Sequence, residues 1–456
     1  MAASCGLSEA SGDPCYTWNG SSPTIVPPST TLVFTSGYYT VRRAITASSM
    51  TNFTMIGEPS ARIGCTYRSS YGPAFTLSNI SNVSISNLQF YDCVGNQLSQ
   101  IESFLLANSR LSHGPHRDTT SITMEYTNAI VAHTMFYGNV AHIRINSLSN
   151  LEVDASNFTS GYNDPRLYYP SGSVTRAYYN DGGSISNYDP HSAIMIRGCR
   201  FFNNRAFAQF LDDNNHYSRG GAIYSLGEVT VIDCLFYFNN GSQGGAIYSE
   251  GNVTVINSNF TKNSGPGDYN NLGGAIFSLS DVVISNSTFH NNSARHGGAI
   301  YSSSVMVTDG NFTDNKATES SDNFPNMGNG GAIYALHNVR AVNSSFSDNT
   351  ATGGTGGAVY TEANHTVISF YGSLFSTNRA ISCGVLSVNS LRLYTNDVTM
   401  VNSTFSINEA IGTTDGGGVA CFGNAIVSTF NCVFSNNIAA ASNGGVFNLE
   451  NSSITV

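Results

Sequence analysis

The sequence predicts an all-β chain wound as a single-stranded parallel β-helix of roughly fourteen coils, right-handed by analogy with most folds of that kind. Three observations predict it. A GGAIYS-like hexapeptide recurs from Gly220 onward, a phenylalanine followed three positions later by asparagine recurs between the copies, and the stretch from the first motif to the second is nearly constant in length. Self-similarity at a period of about 24 to 33 residues marks a solenoid, in which each unit buries its apolar face only by stacking on its neighbours.

The hexapeptide stands at Gly220 to Ser225, Gly244 to Ser249, Gly273 to Ser278, Gly297 to Ser302, Gly330 to Ala335 and Gly356 to Thr361, with weaker copies at Cys383 to Ser387, Gly416 to Cys421 and Gly444 to Asn448. The F-x-x-N motif supplies Phe201/Asn204, Phe236/Asn239, Phe260/Asn263, Phe289/Asn292, Phe312/Asn315, Phe346/Asn349, Phe375/Asn378, Phe405/Asn408 and Phe434/Asn437. In the first five units 14, 14, 14, 13 and 14 residues separate the second glycine from the phenylalanine, whereas the gap from asparagine to the next glycine pair runs from 4 to 15. One arc of each coil is therefore fixed and one corner accepts insertions.

Within the fixed arc, Val229/Val231, Val253/Val255, Val282/Ile284, Val305/Val307 and Val339/Ala341 alternate at period two, the pattern of a strand with one face buried. Three residues before the phenylalanine stand Asp233, Asn257, Asn286, Asp309, Asn343, Asn402 and Asn431. These and the F-x-x-N asparagines form two columns at strand bends; both read as turn ladders, since Asn and Asp tolerate the left-handed region and amides bond from coil to coil. The glycine pair marks a third corner, giving three strands and three corners per coil.

The chain divides into a cap with the first coils and local disulfides (1–95), degenerate coils (96–198) carrying a Tyr-rich insertion at 160–192, and regular coils (199–456) that stop within a coil. That stop predicts further chain beyond residue 456. Only 11% of residues are charged and 45 are glycine. No apolar run reaches 18 residues, so no membrane span is expected, and the net charge of −10 speaks against nucleic acid as a partner. No cofactor or metal is expected, since no D-x-D-x-D spacing falls on a strand.

Fifteen N-x-S/T sequons predict a glycosylated, secreted or cell-surface protein, with Asn52, Asn252, Asn259, Asn311 and Asn364 as candidate acceptors and the ladder residue Asn286 too buried to serve. Cys5 with Cys15 and Cys65 with Cys93 are candidate local disulfides. Cys199 and Cys234, each two residues before a repeat phenylalanine, are candidates for a bridge between stacked coils, leaving an odd cysteine among Cys383, Cys421 and Cys432.

The paired GGA(I/V) and F-x-x-N motifs from Cys199 to Asn448 are similar to those of the polymorphic membrane proteins of chlamydiae, which are surface adhesins, and of pectin-lyase-like β-helix proteins of sponges and protists. The segment containing VFTSGYYTV, NFTMIGEP, GCTY and NVSISNLQFYDC resembles the cap of the eukaryotic group. The resemblance implies an extracellular adhesive or matrix role, with a protein or glycan as partner or with self-association, and supplies no catalytic residues. The alternative is a carbohydrate-active enzyme or carbohydrate-binding module. Its nearest candidate groups are Asp181, Asp212, Asp213, His216, Arg295 and His296, which we read as solvated polar groups on insertion loops because the NTD, GHG and RIK signatures of polygalacturonase-like enzymes are absent and His296 precedes the glycine corner as a loop residue. One further column, Tyr224, Tyr248, Phe277, Tyr301, Tyr334 and Tyr360, alternates with inward isoleucines. It is either an exposed aromatic platform or a structural stack. The insertions after F-x-x-N, at Arg205 to Arg219, Ser264 to Leu272, Lys316 to Asn329 and Glu409 to Asp415, are expected to line one edge and to carry partner binding.

Overall fold

The repeat sets backbone geometry before it sets packing. Inward apolar residues at period two demand short strands, and left-handed residues at fixed places demand corners between them. A computed structural model describes residues 29–34, 36–41, 44–58, 61–65, 73–93, 96–112, 120–138, 141–159, 162–163, 180–206, 218–265, 271–318, 328–362, 365–389, 395–412, 416–440 and 445–456. These strands pair in parallel, coil upon coil, as a parallel β-helix. The chain forms two compact units, Met1–His216 with Ile223–Val229, and Tyr217–Ala222 with Thr230–Val456. On either side of the boundary expected at residue 95, Phe75–Ser86 pairs in register with Asn96–Ala107. Strands carrying the repeat phenylalanine, or its equivalent, number seven in the first unit and eight in the second among the described residues, so the coils slightly exceed the expected fourteen.

In the second unit one coil runs through Ile276–Ser278, Val282–Ser285, Thr288–His290 and Ser293–Ala294. The fourth strand corrects the three-strand expectation. Lys316–Ala317, Thr350–Thr355, Arg379–Ser382, Glu409–Ala410 and Ile438–Ala439 repeat it and pair in register, so the ladder asparagine is followed by a strand before any insertion begins. Its inward alanines, Ala317, Ala351 and Ala380, pack together in the core.

Phe236, Phe260, Phe289, Phe312, Phe346, Phe375, Phe405 and Phe434 stack face to face at centroid spacings of 4.6 to 5.0 Å. Full burial of one such ring contributes about 1.5–3 kcal/mol and each stacked pair about 0.5–1.5 more. Beside them the F-x-x-N asparagines turn inward. Asn239, Asn263, Asn292, Asn315, Asn349, Asn378 and Asn408 are wholly buried. Each gives its backbone N–H and a side-chain N–H to Oδ1 of the next asparagine, through to Asn437. In the first unit Asn204 Nδ2 donates to Phe158 O at 3.2 Å.

The two asparagine columns thus differ in kind, which corrects their common reading as residues of the bends. Asn349 and Asn378, like the rest of the F-x-x-N column, form a core ladder and do not themselves take the left-handed turn. Asn349 Nδ2 also donates to Phe312 O, and Asn378 Nδ2 to Phe346 O, so these amides face the core carbonyls. The residue just before each asparagine makes the turn, as Lys262, Asn291, Asp314, Asp348, Thr377 and Ile407 do with φ of 55°, 53°, 56°, 58°, 53° and 59°. The outer column is itself left-handed at Asp233, Asn257, Asn286, Asp309, Asn343, Asn402 and Asn431 and is exposed. Asn286 is therefore accessible, contrary to expectation, because its side chain points outward and bonds Asn257 Oδ1 at 2.9 Å.

Each member of the glycine pair answers a separate constraint. Gly273 sits at φ 64°, where a side chain is strained, while a Cβ on Gly274 would lie 2.1 Å from the carbonyl oxygen of Gly298 in the next coil. The expected loop at 160–192 also resolves in part into a coil. Gly182 to Asn187 (GGSISN) is another copy of the hexapeptide, with Gly182 at φ 69° and Ile185 opposite Ile223. The remainder, 160–161 and 164–179, lies outside the described residues.

Candidate functional site

The tyrosine column follows from strand alternation: isoleucine faces in, so the next residue faces out. Facing out does not make it exposed. Tyr224, Tyr248, Tyr334 and Tyr360 are buried, and only Tyr301 is partly accessible, which overturns the exposed platform. The rings cover one another. Phe277 stacks on Tyr248 at 5.1 Å and on Tyr301 at 5.2 Å, and Tyr334 stacks on Tyr301 at 4.7 Å. Arg219 lies over the Tyr248 ring, His296 abuts Tyr334 edge-on, and in the first unit Tyr224 packs on Tyr188.

The hydroxyls are also engaged. Tyr334 donates to Glu362, and Asn389 Nδ2 donates to the Tyr360 oxygen at 3.1 Å. Burial, followed by the nearby Glu362 and Tyr360, pushes Tyr301 up to about 12, and burial with the Glu362 bond raises Tyr334 further. These phenols stay protonated and serve as an outer spine.

Of the groups considered for catalysis, Asp212, Asp213 and His216 and the side chain of Asp181 lie outside the described residues. Arg295 is buried rather than solvated, and His296 accepts from the Asn329 backbone N–H through Nδ1 at 3.3 Å. Burial, with Arg295 adding to it, lowers the His296 pKa to about 4.

Cys65 and Cys93 form a disulfide, with Cys93 standing where a ladder asparagine would be. Cys5 and Cys15 lie outside the described residues. Cys199 and Cys234 are not disulfide-bonded. Their column is otherwise a ladder of hydroxyls, in which Ser258 Oγ accepts from Cys234 N at 3.0 Å and donates to Ile256 O. The thiols take the same part: Cys199 Sγ accepts from Ser156 N and donates to Arg197 O, and Cys234 Sγ donates to Ile232 O. This serine ladder was missed by sequence reasoning; the recurrence of Ser or Cys two residues before the repeat phenylalanines, broken by Gly310 before Phe312, is its signal. A second disulfide joins Cys383, at the position of the first glycine, to Cys421, at the tyrosine position.

Asn52, Asn252, Asn259 and Asn311 are exposed, and Asn364 lies outside the described residues. Parts of each insertion, 207–217, 266–270, 319–327 and 413–415, also lie outside them, but the insertion Ser264 to Leu272 has both its ends fixed in register. Ser264 bridges to Asn240 and Ser293 on departure, and Leu272 bridges to Gln243 and His296 on return. Length also varies at a second corner, between Leu386–Val388 and Asn396–Val401, so the arc held constant in the first five units lengthens later.

The expected absence of a membrane span concerns helices alone: among the described residues no helix is long and apolar enough to cross a membrane. Compared with known proteins, residues 185–339 match the family model of a right handed beta helix region, and residues 343–362 match the Chlamydia polymorphic membrane protein repeat. No curated protein and no solved structure matches the chain significantly. Ladders, strand register and these matches agree on a right-handed parallel β-helix whose repeat is similar to that of the chlamydial polymorphic membrane proteins.

Proposed function

We propose that the chain is a non-catalytic scaffold of the cell surface or extracellular matrix, of the adhesive kind suggested by the matching repeat, and that it holds a protein or glycan partner through the insertions that follow the fourth strand. The observation that carries this reading is where sugars can attach. Among the described residues of the second unit, the exposed sequon asparagines Asn252, Asn259, Asn286, Asn291, Asn311, Asn343 and Asn402 all lie between a glycine pair, or its equivalent Cys383-Gly384, and the following ladder asparagine, and Asn451 likewise follows the last glycine pair. The segment from ladder asparagine back to glycine holds only Asn240, which is half-buried with its Oδ1 enclosed. Glycans on the first arc would leave the insertion edge bare for contact. Secretion, glycosylation and a eukaryotic source are parts of this same reading.

The test replaces 207–217, 266–270, 319–327 and 413–415 with short connectors, sparing the strands on either side. Coils such as Asn292 to Gly297 show that four residues suffice. The labelled chain is then applied to fixed cell monolayers and to surfaces coated with matrix glycoproteins. Loss of binding with an unchanged β-sheet circular-dichroism signal and melting temperature is expected; full retention would move the site off this edge.

A further inference from the structure

In the first unit the strands Ile45–Gly57, Phe75–Ser86, Asn96–Ala107 and Thr120–Ala132 are each creased once, where Ser49, Asn79, Gln100 and Tyr126 take φ of 55°, 52°, 55° and 50°. Register keeps the creases aligned: Met50 opposes Ile80, Ile80 opposes Ile101, and Ile101 opposes Thr127. Four aligned creases make a groove of about 660 Å³ on the outer surface. Met50, Ile80 and Ile101 are buried beneath it as an apolar floor. The left-handed residues form one rim; Thr51, Ser81, Glu102 and Asn128 form the other.

The rims carry hydroxyls, carboxamides, one phenol and one carboxylate, and no lysine or arginine lines the groove. Gln100, Glu102 and Tyr126 are exposed, and their side chains make no hydrogen bond to another described residue. Asn79 reaches Ser49 Oγ, and Asn128 Nδ2 reaches the Glu102 carbonyl, only at 3.4 Å, while Asn128 Oδ1 accepts from Asn150 at 3.1 Å and leaves its Nδ2 as the group open to a ligand. Stability alone would place Gly or Asn at these creases, as the left-handed corners elsewhere in the chain often do. A left-handed Gln or Tyr is conformationally costly. Two such residues stand side by side here with unengaged polar ends turned to an open groove, which sets them apart from left-handed corners such as Lys262 and Ile407.

The spacing points to the ligand class. Equivalent groups recur at the strand repeat of ~4.8 Å, close to the advance of one pyranose along an extended glycan. We propose that this groove binds an uncharged, extended oligosaccharide, with the Tyr126 ring against a sugar face and the amides of Gln100, Asn79 and Asn128 bonded to successive hydroxyls. Glu102 and the lack of a cation turn away uronates and sulfated sugars. The site is independent of the insertion edge, and either can fail alone. Asn79 also heads an N-I-S sequon, so a glycan attached there would occupy the groove.

The experiment therefore uses the full chain made in a host without N-glycosylation, titrated calorimetrically with neutral hexasaccharides of glucose, xylose and mannose, and with hexagalacturonate. At least one neutral hexasaccharide should bind. Tyr126→Asn and Gln100→Gly should each weaken that binding at least fivefold without lowering the melting temperature, because both replacements suit a left-handed φ. The proposal is overturned if no neutral hexasaccharide binds, if both variants bind like the parent chain, or if hexagalacturonate binds more tightly.

Discussion

Asn292 gives its backbone N–H and one side-chain N–H to the single Oδ1 of Asn315, at 3.1 and 3.0 Å. Its second side-chain hydrogen reaches Phe260 O at 2.9 Å, and its own Oδ1 accepts the same pair of bonds from Asn263. No polar atom of that side chain is left without a partner in a site closed to water. Asn292→Ala strands two buried N–H donors on Asn263 and should lower stability by about 2–3 kcal/mol in chemical denaturation. Asn291→Gly, one residue earlier on an exposed left-handed corner, should change it by less than about 0.5 kcal/mol. Equal losses would sink the ladder assignment.

Ile407 is a β-branched residue at φ 59° and 54% exposed. The left-handed region costs an L-residue about 1–2 kcal/mol and suits glycine and asparagine. Ile407→Asn should therefore stabilise the chain, by roughly 1 kcal/mol, despite the loss of apolar surface. A lower melting temperature for this variant would contradict the corner geometry.

Cys234 stands in a column of serines, so Cys234→Ser should be tolerated within about 0.5 kcal/mol. Ser258→Ala, by contrast, removes the acceptor of the Cys234 backbone N–H and should cost about 1–2 kcal/mol. If the serine substitution proved the more damaging, the thiol would have a role beyond the hydroxyl ladder.

His296 is held neutral, with its pKa lowered from 6.5 to about 4 by burial and by Arg295. Between those values the unfolded chain binds a proton that the folded chain refuses, so stability falls as pH drops from 6.5 to about 4 and falls no further on this account below it. The loss is at most about 3 kcal/mol. His296→Asn, which keeps an acceptor near the Asn329 N–H, should flatten that part of the stability curve. An unchanged slope would place the acid sensitivity elsewhere.

What the sequence made legible was whatever two residues in one column share. Val253 over Val282, Phe260 over Phe289 and Gly274 over Gly298 repeat in kind, and their strands, stack and corner follow. Less legible were columns whose members share a bond and not a name. Serine, cysteine and glycine alternate in the hydroxyl ladder, and Lys262, Thr377 and Ile407 share one left-handed turn. That turn is why Asn378 reads as a corner residue: it stands next to the bend, and only the backbone shows that Thr377 makes it. Alternation placed the tyrosines outside, but it says nothing of what lies over them, so Tyr334 could not be known to be sealed by its neighbours, His296 and Glu362. The early coils hid for another reason. Phe75–Ser86 bends at Asn79 without any glycine pair to announce it.

The rungs have a consequence for how such a chain can change. The side chain of Asn263 bonds only to residues one turn before it, Asn239 and Phe236, and to Asn292 one turn after it, and Phe260 and Gly274 are equally short-sighted. Cut the chain after Asn263 and rejoin it after Asn292, and the same partners face one another with the same bonds, Asn263 now set against Asn315. Length is therefore free to vary by entire turns and is barred from varying by single residues within a strand. The loops travel with the turn that bears them, so duplicating or losing a turn redraws the outer surface while the interior keeps one unvarying pattern.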